Sequence, residues 1–358
     1  MAEIGIGIIG QGIGYSRSKM AVAAEGMKLV AICDLLEHRR ERAERDFGVP
    51  VYENYREMLE RKDIDIIGIF TPAGNRREIA LDAFAAGKHV ICTKPMEINI
   101  QRCDDMINAA DKAGLRLMVD FGMRYGAPIR ALRAAIEQGM FGDLIMSKAE
   151  LRWYRDQAYY DENGGWRGTW RLDGGGSLAN QTVHFVDQIQ WMMGEPQSVF
   201  AYTDVYKHDI EAEDQGVAVI RWKNGAIGTI TGSTTSIRDV EMTKLEVLGT
   251  KGIAVSSSYS GAYAKGEKSS SEDEGTWYLL DAEGKTVPTP PIEVPPGPTT
   301  IMEDAVAVLL HGAEPMTTGR EGRKSVEILN GIYESSQTGL EVKFPLTKPF
   351  IPKNGYTR

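Results

Sequence analysis

His184 follows Asn180 by four residues, within LANQTVHFVDQIQWMM (178–193), whose apolar spacing predicts a helix. An imidazole and a carboxamide one turn apart on a helix face can grip two neighbouring hydroxyls. The imidazole can also take up or release a proton near neutral pH. The turn Asp173-Gly174-Gly175-Gly176 precedes this helix. Lys94 is the second candidate. It sits in Thr93-Lys94-Pro95, directly after an apolar run at 88–92. An ammonium at the carboxyl end of a buried strand faces a ligand crevice and can polarise an oxygen there. By spacing alone, His184 also reads as a core histidine with a satisfied hydrogen bond, and Lys94 as a solvated lysine. The third element is RWYRDQAYYDENGGWRGTW (152–170), with Tyr154, Trp166 and Arg167 among its rings and guanidiniums. Aromatic faces interleaved with polar groups suit a sugar ring, and they suit a strand packed on a core equally well.

A second constellation opens the chain. GIGIIGQGIGY (5–15) joins an apolar run to Gly10, Gly12 and Gly14. A tight turn at Gly10 and close backbone approach at Gly12 are what a pyrophosphate needs at the start of a helix. The third slot of the G-x-G-x-x-G fingerprint holds Tyr15, which would clash in the ideal loop, so Gly14 is expected to shift the helix start and Ser16 or Ser18 to cap it or meet phosphate. Asp34 lies 22 residues beyond Gly12, at the end of the next apolar run, where a carboxylate can hold adenosine ribose hydroxyls. That acid favours NAD; His38, Arg39 and Arg40 follow closely and keep NADP open. Lys94 would then lie near the nicotinamide.

These residues need elements to hold them. Apolar runs at 4–10, 27–33, 64–70, 88–92 and 116–121 alternate with helical patterns at 16–25, 36–47, 75–86 and 99–113. This pattern predicts a doubly wound parallel sheet. After about residue 125 the pattern changes. A helix at 127–138 is followed by longer alternating strands at 144–154, 197–206, 214–223, 226–236 and 240–248, with a hairpin signal at Asn224-Gly225. They predict a large, mostly antiparallel sheet. Lys265–Gly275 reads as a polar loop and Pro288–Pro298, with six prolines, as an extended connector; helices are expected near 300–311 and 319–338.

The chain has 358 residues and a net charge of -9, which argues against a general nucleic-acid binder. Its three cysteines form no disulfide framework, and no metal-ligand spacing occurs. No stretch reaches the roughly 18 apolar residues of a membrane span, and the first apolar run reads as a strand rather than a signal peptide. The expected location is the cytoplasm.

GIIGQGIG, AICD, TPAGNRREIALDAFAAGKHVICTKPM, GGGSLANQTVHFVDQIQWMMGEP and GREGRKSVEILNGIYESSQTG occur in that order along almost the whole chain. Together they resemble the glucose–fructose oxidoreductase / inositol dehydrogenase (Gfo/Idh/MocA) family. The resemblance implies an α/β protein with a Rossmann NAD(P)-binding domain at 1–123. A substrate-binding and oligomerisation domain with a large, mostly antiparallel sheet is implied at 124–358. It implies hydride transfer at a ring carbon of a sugar, cyclitol, glycoside or nucleotide sugar, in a homodimer or homotetramer built through that sheet. Lys94 matches the lysine of the family's Glu-Lys-Pro, and Asn180 and His184 take the places of its Asp-x-x-x-His pair. His184 would be the acid/base and Lys94 would polarise the reacting oxygen. Expected cofactor contacts are Gly10, Gly12, Ile13, Gly14, Asp34, Arg39, Thr71, Pro72, Asn75 and Lys94. Expected substrate contacts are Asn180, Tyr154, Trp166, Arg167 and Arg124. Thr93, Asn180 and Tyr15 depart from the family pattern, and Asn75-Arg76 stands where many members have a histidine-containing stretch. An NAD-retaining glycosidase and a non-catalytic regulator are the alternatives.

Overall fold

The computed structural model describes residues 3–238, 240–259, 276–280, 283–287, 292 and 294–356. Lys265–Gly275 and part of Pro288–Pro298 fall outside them. The chain forms two compact units: Met1–Glu97, Gln101–Tyr125 and Pro296–Arg323 make the first, and Ile98–Ile100, Gly126–Pro295 and Lys324–Arg358 the second.

The first unit is built on β1 (Ile4–Ile9), β2 (Met27–Cys33), β3 (Val51–Tyr52), β4 (Ile66–Ile69), β5 (His89–Thr93) and β6 (Leu117–Asp120). All neighbours run parallel, in the order β3-β2-β1-β4-β5-β6. The order reverses between β1 and β4, the switch point where doubly wound sheets bind ligands at their carboxyl ends. Ile6, Ile8, Ile32, Ile66 and Ile91 are fully buried, so these strands read as unbroken apolar runs. Helices α1 (Gly14–Ala23), α2 (Glu37–Phe47), α3 (Tyr55–Leu59), α4 (Arg76–Ala85) and α5 (Ile100–Ala113) connect the strands.

A single cut at 123 does not describe the division. Pro296–Arg323 belongs to the first unit. Ile301, Met302, Ala305 and Val308 share one buried cluster with Ile4, Leu29 and Met118. Farther along, a Cβ at Gly319 would meet Leu117 at 2.7 Å and one at Gly322 would meet Val119 at 2.5 Å, so only glycines let this segment lie so close to β6.

Among the described residues the second unit carries nine strands: β7 (Leu144–Arg152), β8 (Pro196–Asp204), β9 (Gln215–Trp222), β10 (Ile227–Ser233), β11 (Met242–Gly249), β12 (Gly252–Tyr259), β13 (Thr276–Leu280), β14 (Thr286–Val287) and β15 (Val342–Lys343). Their order is β14-β13-β12-β11-β7-β10-β9-β8-β15, with β7 and β10 parallel and every other neighbour antiparallel. Gly225, at φ +89°, makes the β9–β10 turn that the Asn-Gly pair predicts. The unit's helices include α6 (Ala127–Glu137), α7 (Gln157–Gly165) and α8 (Val183–Met193); α9 (Ile301–His311) follows in the first unit, and α10 (Gly319–Thr338) begins in the first unit and ends in the second. No helix among the described residues is long and apolar enough to cross a membrane.

Candidate active site

Gly10 sits at φ +90°, and a Cβ there would lie 2.8 Å from the Phe70 carbonyl oxygen. At Gly12 a Cβ would meet nothing nearer than Arg39 Nη1 at 3.8 Å, so the backbone is open for a ligand to approach. Gly14 does what the fingerprint's third glycine does: its Cβ would press on Phe70 Cβ at 3.2 Å and Ile8 Cγ2 at 3.3 Å, so glycine lets α1 close onto β1. Tyr15 therefore makes no clash. Its ring lies 5.4 Å from Phe47, under the Arg42 guanidinium, and its hydroxyl donates to Asp46 at 2.7 Å. Ser16 and Ser18 do not cap α1; they donate to the carbonyls of Ile13 and Gly14. The first turn of α1 has neither a side-chain cap nor an acid, which suits an anion.

Asp34, buried at the end of β2, accepts the Gln11 N–H at 2.6 Å and the Leu36 N–H at 2.8 Å. Each oxygen keeps a lone pair for a ribose hydroxyl. Arg39 lies 3.6 Å from the same carboxylate. Ile13, Leu35 and Leu36 are exposed apolar side chains beside these groups, and no pattern in the chain singled out the two leucines as cover for a base. An open glycine, a bare helix start and a fixed carboxylate together fit a dinucleotide.

Thr71 and Pro72 follow β4, and Asn75 ends the short 3-10 turn before α4. Lys94 follows β5, is half-buried, and joins Pro95 through a cis peptide. These groups thus leave adjacent strands of the first unit.

In the second unit the segment around Asn180 is not the start of one α-helix. Ser177–Thr182 winds as a π-helix and feeds α8, whose second residue is His184. Asn180 and His184 are both half-buried. The Asn180 amide donates to Asp173 Oδ1 at 2.8 Å, and Gln181 Nε2 donates to Asn180 Oδ1 at 2.9 Å and to the Tyr159 hydroxyl at 2.5 Å. So Tyr159 and Gln181 join Asn180 in one polar cluster that a helical wheel does not reveal.

Buried Glu213 fixes this segment. It accepts the N–H groups of Gly176 and Leu178, each at 2.6 Å, and the Tyr333 hydroxyl at 3.2 Å. A Cβ at Gly176 would drive into the Glu213 backbone carbonyl, and one at Gly175 into the Tyr333 hydroxyl, which explains consecutive glycines here. Burial outweighs these donors and pushes the Glu213 carboxyl up to about 8 from the ordinary 4.5. Folding therefore takes up a proton: Glu213's contribution to stability is full below about pH 4.5 and is lost as pH rises through about 8. Thermal melts from about pH 5 to about pH 9 should show wild type losing stability relative to Glu213→Gln. Parallel pH dependence in the two proteins would contradict this.

Arg167 stacks on Tyr159 at 4.3 Å and on Trp166 at 5.2 Å, and Arg155 lies over Tyr159 and Trp153. Tyr154 lies between Lys207 and Arg238 and receives a hydrogen bond from the latter. Tyr154, Trp166 and Arg167 thus belong to one segment of alternating rings and cations, with Tyr159 at its centre. Arg124 stands apart. It belongs to the first unit, is 1% exposed, and pairs with Glu321 at 3.3 Å. Cys33, Cys92 and Cys103 are buried, and burial raises their thiols, the first two to about 12. They take no part in this chemistry.

Residues 4–121 match the oxidoreductase-family NAD-binding Rossmann fold, and residues 129–255 match the Gfo/Idh/MocA C-terminal domain. The WlbA dehydrogenase of Bordetella pertussis, solved with NADH and UDP-GlcNAcA, is 31% identical with a TM-score of 0.83, over 96% of this chain and 99% of its own. The myo-inositol 2-dehydrogenase of Thermotoga maritima is 28% identical over 69% of this chain and 73% of its own. An α-N-acetylgalactosaminidase of Shewanella oneidensis is 30% identical over 50% of this chain and 42% of its own. With a Rossmann unit that fits a dinucleotide, a mixed nine-stranded unit and these matches, the chain belongs to the Gfo/Idh/MocA oxidoreductase family.

Proposed function

We propose that the protein is an NAD-dependent oxidoreductase acting at a ring carbon of a sugar, cyclitol, glycoside or nucleotide sugar. The observation that carries this is the Gly10–Gly14 loop with Asp34: strained where it must turn, open where a pyrophosphate approaches, and closed onto β1 by Gly14. Bound NAD supplies the hydride chemistry. The α1 N-terminus and Gly12 receive the pyrophosphate, Asp34 the ribose, and Leu35 and Leu36 cover the base. Ile13, Arg39, Thr71, Pro72 and Asn75 complete the cradle. The Asp34 carboxylate disfavours a 2′-phosphate, hence NAD rather than NADP.

Lys94 donates to the reacting oxygen and stabilises its developing charge. His184 removes the hydroxyl proton in the oxidative direction and returns it in the reductive one. Asn180, Tyr154, Trp166 and Arg167 hold the substrate, with Tyr159 and Gln181 added to them. The asparagine is no base, so its part is to orient hydroxyls. The same reading places the protein in the cytoplasm as a homo-oligomer. Support for the latter comes from the outward face of the second sheet, where Tyr202, Val217, Val219 and Ile227 are exposed apolar residues on neighbouring strands.

The test is nicotinamide absorbance with NAD and NADP against cyclitols, free sugars, glycosides and nucleotide sugars, including myo-inositol and UDP-GlcNAcA. Reduction of NAD by one class is the expected result. Glycoside cleavage without net change in nicotinamide would replace it with the NAD-retaining glycosidase. Binding without turnover would replace it with the regulator.

A further inference from the structure

A guanidinium is a poor choice for the first residue of a helix, where the N-terminal dipole is already positive, and a poor choice for burial. Arg76 opens α4 and is 4% exposed. Its donors explain why it is there. Nε and Nη2 both donate to the Thr71 carbonyl, at 2.9 and 2.6 Å. Nη1 donates to the Thr93 carbonyl at 2.8 Å and to that of Pro95. One planar cation therefore joins the chain just beyond β4 to the end of β5 and the turn after it, gripping the residues on both sides of Lys94. A fork of five donors can span three carbonyls; a lysine's single ammonium cannot hold them in that plane.

A second tie lies beside the first. Buried Glu97 accepts the Arg77 N–H at 3.2 Å in the opening turn of α4 and pairs with Arg102 at 2.9 Å. Arg102 in turn donates to the Gly74 carbonyl at 2.9 Å. The Glu97 carboxylate supplies the negative charge that the helix start calls for. Segments 71–77 and 93–97 are thus strapped together at two places.

We propose that Arg76 is a positioning residue: it sets the backbone that carries Lys94 in register with the Thr71–Asn75 segment, so that lysine and cofactor cradle move as one body. The inference rests on the proposed role of Lys94 in polarising the reacting oxygen. It names no contact of Arg76 with substrate. Its effect on kcat is transmitted through Lys94.

Two readouts on the full-length chain test it. The first needs no turnover. Hydrogen exchange is followed by mass spectrometry in wild type, Arg76→Lys and Arg76→Gln without added ligand. The expected result is that exchange in 71–76 and 93–97 speeds up together, by roughly tenfold, while the rest of both sheets stays protected. No change, or a change in only one segment, would overturn the inference. A rise across the whole chain in both variants would make Arg76 a residue of the fold and overturn it too. The second readout is a double-mutant cycle with NAD and whichever of myo-inositol and UDP-GlcNAcA turns over faster. Arg76→Lys is expected to lower kcat by roughly 10- to 100-fold with KM within about threefold, since small misplacement of a reacting group costs that much. In a Lys94→Ala background the same change should cost less than about threefold. An equal loss in both backgrounds would separate Arg76 from Lys94 and overturn the inference. Full turnover in Lys94→Ala alone would instead remove the role of Lys94 on which it rests, and that outcome is distinct.

Discussion

Replacing His184 by alanine lowers kcat by about 10²- to 10⁴-fold, the usual worth of a positioned acid/base. NAD affinity stays within about twofold, because the cradle Gly10, Gly12, Asp34 lies in the other unit. His184 is half-buried in the first turn of α8, entered through a π-helical segment that Glu213 holds from beneath. A structural histidine would show its loss as a lowered melting temperature. An acid/base would show it as lost turnover in a protein that still melts normally. The measurement is therefore kcat and Tm side by side, with fluorescence titration of NADH as the control. A loss below about threefold in kcat would remove the proton-transfer role from His184.

The second large effect separates two glycines only two residues apart. Gly12→Ala leaves the fold intact, since its new methyl enters open space with only the flexible end of Arg39 at 3.8 Å. It weakens NAD binding by about 100-fold, or ~2.7 kcal/mol, because the methyl occupies the volume a pyrophosphate needs. Gly10→Ala does the reverse. It forces a Cβ to within 2.8 Å of the Phe70 carbonyl oxygen at φ +90°. The expected cost in stability is about 2–4 kcal/mol. Urea unfolding of both variants, paired with NADH titration, reads the two effects independently. Unchanged NADH affinity in a folded Gly12→Ala would show that the ligand does not pass there.

Much of the first sheet was legible because parallel strands covered on both faces leave unbroken apolar runs. Met27–Cys33 coincides with its expected span, whereas Val51–Tyr52 is too short to show any period. The return of α9 to the first unit was not legible. A helix's apolar stripe announces that it packs, not which sheet it packs on, and Ile301, Met302 and Ala305 carry no address. The Tyr15 problem was visible but its solution was not, since it depends on Gly14 facing Ile8 and Phe70 across the strand. The four-residue spacing of Asn180 and His184 was legible. The π-helical entry to α8 was hidden, because it is imposed by Glu213 from another part of the chain. Among Glu211, Glu213 and Asp214, spacing cannot say which acid caps the glycine turn. Arg76 was read only as a departure; its three carbonyl partners come from two strand ends that the chain separates.

The sealed thiols have a practical corollary. All three cysteines of the chain are buried and hold their protons tightly, so the native molecule presents no reactive sulfur to a maleimide. A cysteine introduced at Thr229, between the exposed rows of the second sheet, would be a unique chemical handle without any prior removal of native sulfur. A dye there would count subunits by brightness, and a short bismaleimide would join copies only if that face meets its twin.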